Sequence, residues 1–204
     1  METVAPGLAA VQDTDAGLVS ECKKGSSSAF EALVRRHQKR VFNTVLRMIG
    51  NHEDASEVTQ DAFVSAYRSI GGFEGRSRFS TWLHSIAINL AKNRIKQVGS
   101  RKFHEPVSTD DPVPGTDGDT RMDHASDDPP AEERIERMET KDKLLKCLDS
   151  LDPESREAIV LLDVQGFSYE EIGQVLKIPG GTVRSRIFRA REELIRMMKQ
   201  GMEE

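Results

Sequence analysis

Apolar side chains recur along this chain at intervals of three and four residues, the period of a helix lying on a core. Leu18, Val19 and Cys22 mark a first short helix that ends before Gly25. Phe30, Leu33, Val34, His37, Val41, Val45, Leu46 and Ile49 form a long amphipathic stripe that stops near Gly50. Ser28-Ala29-Phe30-Glu31 at its start reads as a capping box, the serine accepting a backbone N–H and the glutamate reaching back. A third helix is predicted from Glu53 to Ile70 with Ala55, Val58, Ala62, Phe63 and Ala66 inward. An irregular stretch after Gly71-Gly72 leads into a fourth, from Ser80 to Val98, with Ile86, Leu90 and Ile95 inward. The alternating pattern of strands is absent, which argues against a parallel sheet.

The pattern lapses between Val107 and Pro130, where aspartate, proline and glycine crowd out large apolar side chains. Such a segment buries too little apolar surface to offset the entropy of ordering it. It is therefore expected to be a flexible acidic linker over 99–131, with a helical domain on each side: residues 15–98 and residues 132–204. Residues 1–14 are expected to be a disordered N-terminus. In the second domain a charged helix spans Glu132 to Leu148. Asp152-Pro153-Glu154 supplies a capping oxygen, a first-turn proline and an acid at the positive end of the helix dipole, opening a helix to about Val164. Ser168-Tyr169-Glu170-Glu171 is a second capping box, followed by Ile172, Val175 and Leu176. Ile178-Pro179-Gly180-Gly181 is a turn, and the last helix runs from Thr182 towards Lys199. The fold class is thus all-α, two small domains, the second a helix-turn-helix.

Charge sharpens the reading. The chain carries 29 basic and 34 acidic side chains among 204 residues, with 37% hydrophobic residues, low for a globular protein. Residues 1–98 hold 13 basic and 10 acidic groups, residues 99–131 hold 3 and 8, and residues 132–204 hold 13 and 16. Between Gly75 and His104 lie Arg76, Arg78, Lys92, Arg94, Lys96, Arg101 and Lys102 without an acid. Between Arg184 and Lys199 six basic residues face only Glu192 and Glu193. Two basic patches on an acidic chain suit local contact with a polyanion, although a solvated helix face has the same composition. No run is long enough for a membrane span, and the N-terminus is unlike a signal peptide, so a cytoplasmic protein without membrane insertion is expected. Cys22 and Cys147 read as buried thiols. His37, His52, His84, His104 and His124 show no metal-ligand spacing, and no nucleophile or carboxylate pair suggests an enzyme; no cofactor or metal is expected.

On the last helix, Val183, Ile187, Ala190, Leu194 and Met197 fall on one face and Arg184, Ser185, Phe188, Arg189 and Glu192 on the opposite one. A recognition helix meets the major groove with its N-terminal residues, where arginine grips guanine and apolar groups meet thymine methyls. Arg186, Arg191 and Arg196 suit phosphates or neighbouring acids. The bland alternative is an interaction domain whose arginines pair with Glu170, Glu171 and Glu192. In the first domain, Phe73 to His84 interleaves aromatic rings with Arg76 and Arg78 and contains the only tryptophan, Trp82. That composition suits unstacked bases, yet Phe79, Trp82 and Leu83 also fit a core, the better reading of Trp82 taken alone. Asn89, Lys92, Asn93 and Arg94 present polar groups further along.

Three stretches together resemble the extracytoplasmic-function (ECF) sigma factors of bacterial RNA polymerase, and among these the envelope-stress subgroup. They are Asp54-Ala55-Ser56-Glu57-Val58-Thr59-Gln60-Asp61-Ala62-Phe63, then Phe73 to Asn93, then Ser168 to Ile172 followed by Gly181 to Arg191. The resemblance implies that Asp54, Glu57, Gln60 and Asp61 dock on the clamp helices of the largest polymerase subunit. It implies that the Gly75–Arg78 loop, with Arg76, Ser77, Arg78, Phe79 and Trp82, holds a base flipped from the upstream element, and that Asn89, Lys92 and Asn93 face adjacent duplex. Thr182, Arg184, Ser185, Phe188, Arg189 and Arg191 would read the distal element, and the linker would thread towards the RNA path. Gly180 departs from the larger residue of many relatives and would loosen the turn. Core polymerase, promoter DNA and an anti-sigma factor are the implied partners of a free monomer. The remaining alternative is a stand-alone helix-turn-helix regulator with an N-terminal sensor or dimerisation domain.

Overall fold

The computed structural model describes residues 14–104, 140 and 143–200, and every element among them is helical. The expected disordered N-terminus, most of the expected linker and residues 132–139 of the expected charged helix lie outside the described residues. The first domain contains α1 (Ala16–Lys23), α2 (Ser27–Ile49), α3 (His52–Ser69) and α4 (Phe79–His104), with a 3₁₀ turn at Ile70–Gly72. The second contains α5 (residues 143–150), α6 (Pro153–Ile159), a π-helical turn at Val160–Val164, α7 (Tyr169–Leu176) and α8 (Gly180–Gln200).

Local chemistry sets most of these limits. Asn51 caps α3 by accepting the Asp54 N–H at 3.0 Å, and Gly50 ends α2 with a φ of 78°, open to glycine without strain. The cap of α2 is Ser26, which accepts the Ala29 N–H at 3.3 Å. Ser28 is the second residue of the helix and Glu31 pairs with Arg35, so the expected Ser28–Glu31 box does not form. Capping follows geometry, and Ser26 alone has the extended backbone that a cap needs. The second box forms as expected, Ser168 Oγ accepting the Glu171 N–H at 3.2 Å and Glu171 accepting the Ser168 N–H at 3.0 Å. α4 continues past Val98, and α8 starts at Gly180, where the Pro179 carbonyl accepts the N–H groups of Thr182 and Val183. The close approach in the helix-turn-helix is at Gly173, where a Cβ would lie 3.1 Å from the Ile178 carbonyl; at Gly180 it would meet nothing.

The first core is built from Leu33, Val41 and Val45 of α2, Ala55, Ala62 and Ala66 of α3, and Phe79, Leu83, Ala87 and Ala91 of α4, all fully buried. Alanine on the facing stripes of α3 and α4 lets the two helices approach closely. Asp15 ties α1 down through His37 Nε2 at 2.7 Å and through Arg36. In the second domain Leu161, Ile172, Val183, Ile187 and Ala190 close a smaller core. Cys22 and Cys147 are buried free thiols. Ile95, expected inward, is 37% exposed, because α4 extends beyond the helices that cover its first turns.

The two domains pack on each other. The π turn aims Gln165 at α2, where its Oε1 accepts from Arg40 Nε at 3.2 Å and its Nε2 donates to the Arg40 carbonyl at 3.2 Å. His84 of α4 lies edge-on to Phe167, ring centroids 4.9 Å apart. Its Nδ1–H donates to the Ser80 carbonyl at 2.8 Å, and burial, aided by nearby Arg40 and His37, pushes its pKa from 6.5 down to about 4.

Two outcomes follow for stability. Ser26→Ala is expected to cost about 1 kcal/mol in denaturant unfolding, and Ser28→Ala under about 0.5 kcal/mol. His84 is neutral when folded and takes up a proton on unfolding below pH 6.5, so stability should be complete above 6.5 and fall as pH drops from there towards 4. The slope attributable to it approaches ~1.4 kcal/mol per pH unit, and pH-resolved unfolding should show His84→Gln flattening that slope.

Candidate nucleic-acid and polymerase interfaces

Helix α8 separates its faces as the pattern predicts. Val183, Ile187 and Ala190 are buried, while Arg184, Ser185 and Arg189 are exposed and Phe188 is 61% exposed. A phenylalanine held that far into solvent between arginines has no packing role among the described residues. Thr182 is half-buried at the first turn, its carbonyl accepting the Ser185 hydroxyl at 3.0 Å. Arg191 donates to Asp163 at 2.7 Å, Arg186 to Glu154 at 2.6 Å and Arg196 to Glu193 at 3.3 Å. In the free chain all three arginines thus meet neighbouring acids, with Arg191 still half exposed beside the reading face. Glu170 and Glu192, partners in the bland alternative, are not the ones used.

In the loop before α4, Arg76 pairs with Glu74, Ser77 is half-buried and Gly75 has a φ of 73° that favours glycine. Phe79 is fully buried beneath Phe73 and Trp82, with centroids at 6.2 and 5.8 Å. This corrects its expected place against DNA: the ring is core, since the short loop needs an apolar anchor where it enters the helix. Trp82 is half-buried at the edge of the same cluster, 4.9 Å from Phe73, and keeps part of its ring in solvent. Asn89 and Asn93 are exposed. Lys92 and Arg78 are not free, because Lys92 Nζ lies 2.8 Å from Glu157 and Arg78 lies 3.6 Å from Glu171, both in the second domain.

On α3, Gln60 and Asp61 are exposed, whereas Asp54 and Glu57 are both held by Arg94 of α4, the former at 3.2 Å. Arg94 belongs to the basic segment in sequence, but its guanidinium fastens α4 to α3. The open surface beside Gln60 and Asp61 continues through Val64, 47% exposed, and Tyr67, 52% exposed. Sequence reasoning passed over these two, although both sit off the inward stripe of Ala55, Val58, Ala62, Phe63 and Ala66.

Family models match in two places: Sigma-70 region 2 over residues 33–101 and Sigma-70, region 4 over residues 141–194. The RNA polymerase sigma-H factor of Pseudomonas aeruginosa is 38% identical over 184 residues, covering 90% of this chain and 93% of that protein. The ECF RNA polymerase sigma-E factor of Escherichia coli K12 is 38% identical over 183 residues, with 90% and 93% covered. The chain belongs to the ECF sigma factors. As an ECF sigma factor it is a transcription initiation factor. A solved structure of CnrH with the cytosolic domain of CnrY superposes with a TM-score of 0.64 at 26% identity, covering 92% of this sigma factor and 99% of CnrH. The sigma factor RpoE of Bartonella quintana shares the fold, with a TM-score of 0.61 at 23% identity, over 83% and 96% of the two chains. Among the described residues, no helix is long and apolar enough to cross a membrane.

The Arg94 clamp gives a direct expectation. Arg94→Met should lower stability by about 1–2 kcal/mol, more than an exposed ion pair, because Arg94 is 19% exposed and serves two carboxylates. A double-mutant cycle with Asp54→Asn in denaturant melts should show non-additivity of at least ~0.5 kcal/mol.

Proposed function

We propose that this sigma factor binds core RNA polymerase through α3, reads a distal promoter element with α8, and favours DNA opening by capturing an unpaired base at the loop before α4. The observation that carries the proposal is the exposed face Arg184, Ser185, Phe188 and Arg189 at the N-terminal end of α8, opposite a stripe fully committed to the core. Bidentate arginine contacts and an apolar ring against thymine methyls are worth ~1–3 kcal/mol each in discrimination. Residues 132–204 then form the unit reading the distal element and residues 15–98 the unit binding polymerase and melting DNA.

The capture site is built from Arg76, Ser77 and Trp82. The tryptophan edge offers a stacking surface, and Arg76 a cation for the backbone. Capture favours the open duplex because the site binds a flipped base and not a paired one. Asn89, Lys92 and Asn93 face the duplex next to it. The polymerase surface comprises Gln60, Asp61, Val64 and Tyr67, with Asp54 and Glu57 positioned by Arg94; its mixed apolar and polar character suits the helical coiled clamp of the largest subunit. No chemical step belongs to this chain, and it works wherever the polymerase does, in the cytoplasm. CnrH is solved with the cytosolic domain of CnrY, and by analogy an anti-sigma partner holds this sigma factor off.

Run-off transcription with core polymerase on a promoter library tests the reading: start sites that depend on the added chain and share two spaced elements are expected. Arg184→Ala and Phe188→Ala should each reduce use of the distal element by roughly 10- to 100-fold while polymerase binding is unchanged. No initiation, with tight unaided binding to a palindromic duplex, would replace this reading with that of a stand-alone regulator.

A further inference from the structure

The proposed capture loop is held by its two ends. Glu74 to Ser77 make no backbone–backbone hydrogen bond among the described residues, and Gly75 turns the chain with a φ of 73°. At the far end Phe79 is fully buried, and the Arg78 carbonyl accepts the Trp82 N–H at 3.1 Å. At the near end Phe73 is buried, its N–H donating to the Ile70 carbonyl at 3.1 Å. The Phe73 carbonyl is taken by α1: Lys23, the last residue of that helix, donates to it from Nζ. The same ammonium lies over the Phe73 ring, 5.9 Å from its centroid, within cation–π range. That ring stands 4.9 Å from Trp82. Lys23 has no carboxylate partner among the described residues, whereas its neighbour Lys24 pairs with Glu21 at 2.8 Å. Helix α1 gives Lys23 a fixed base, since Val19 and Cys22 are buried and Asp15 holds His37 at 2.7 Å.

We infer that Lys23 is a positioning residue for base capture, fixing Phe73 from α1 and through it the pose of Trp82 and of the Gly75–Arg78 loop. The inference rests on the reading of Arg76, Ser77 and Trp82 as the capture site. A loop without internal hydrogen bonds samples many poses, and ordering it when a base arrives lowers affinity by the cost of that ordering. The Phe79 end cannot drift, because its ring is in the core. The Phe73 end needs a tie, and Lys23 supplies one to the backbone and one to the ring. A surface lysine surrenders rotamer freedom to sit in one place, so this contact adds little to overall stability and its consequence is local. Helix α1 thereby takes part in promoter opening without touching DNA.

The test uses holoenzyme assembled from the full chain, with opening of a promoter from the run-off selection followed by permanganate reactivity of its thymines. Lys23→Met removes a charge-assisted hydrogen bond. It should slow opening at saturating holoenzyme by about 3- to 10-fold and leave the half-saturating concentration within about twofold. Lys23→Arg, which keeps a donor and a cation, should recover most of the rate. Lys24→Met makes the same charge change at the adjacent position and should alter the rate less than about twofold. Trp82 is the only tryptophan, so its quenching by acrylamide reports the pose in the free chain; it should rise in Lys23→Met and return in Lys23→Arg. The melting temperature should fall by less than ~4 °C, and a larger fall would make Lys23 a stability residue alone. The inference is overturned if Lys24→Met slows opening as much, if Lys23→Arg restores nothing, or if quenching and opening do not change together. Arg76→Ala with Ser77→Ala separates the two readings. If that variant slows opening while Lys23→Met does not, capture stands and the brace alone fails; if that variant leaves opening unchanged, the capture reading fails and the brace with it.

Discussion

The burial of α4 is the constraint on which the rest depends. Phe79, Leu83, Ala87 and Ala91 lock one side of it into α2 and α3, and Arg94 adds a charged fastening to Asp54 and Glu57 of α3. That side fixes how the aromatic loop, Trp82 and the polar positions Asn89 and Asn93 are presented. It also sets the polymerase-facing surface of α3, since the same guanidinium orients two of its carboxylates. One helix thereby couples the surface proposed for polymerase to the surface proposed for DNA.

The second domain obeys a different logic. Its core is small, and its π turn breaks the regular helix at Val160–Val164 so that Gln165 and Phe167 point at the first domain. A local irregularity of this kind costs hydrogen-bond geometry and is commonly kept where a side chain must be re-aimed. Glu171 serves twice, closing the helix start and reaching Thr81. The acids of this domain thus neutralise charges on α4 and α8 alike, while Arg184 and Arg189 at the start of α8 stay exposed.

Much of this architecture was legible in the chain, and the reasons are physical. Helical period, the proline at position 153 and the Ser168–Glu171 box are short-range signals, and each produced the element it predicts. The split of α8 into a core stripe and a reading face followed from period alone. Where several polar residues compete, short-range rules fail: Ser26 and Ser28 both resemble caps, and only backbone conformation separates them. Phe79 and Trp82 differ in the depth to which tertiary packing buries them, which composition cannot express. Arg94 was invisible as a clamp because its partners lie far away in sequence, and Lys92 likewise meets Glu157 only through the fold. Val64 and Tyr67 did carry a signal, being large apolar residues off the core stripe.

The packing of the second domain on α2 and α4 sets how the two surfaces are held in the free chain. Pulsed electron paramagnetic resonance between spin labels at Lys39 of α2 and Gln174 of α7, both exposed, measures this directly. One narrow, short distance is expected in the free chain. A broad distribution, or a long distance, would contradict it.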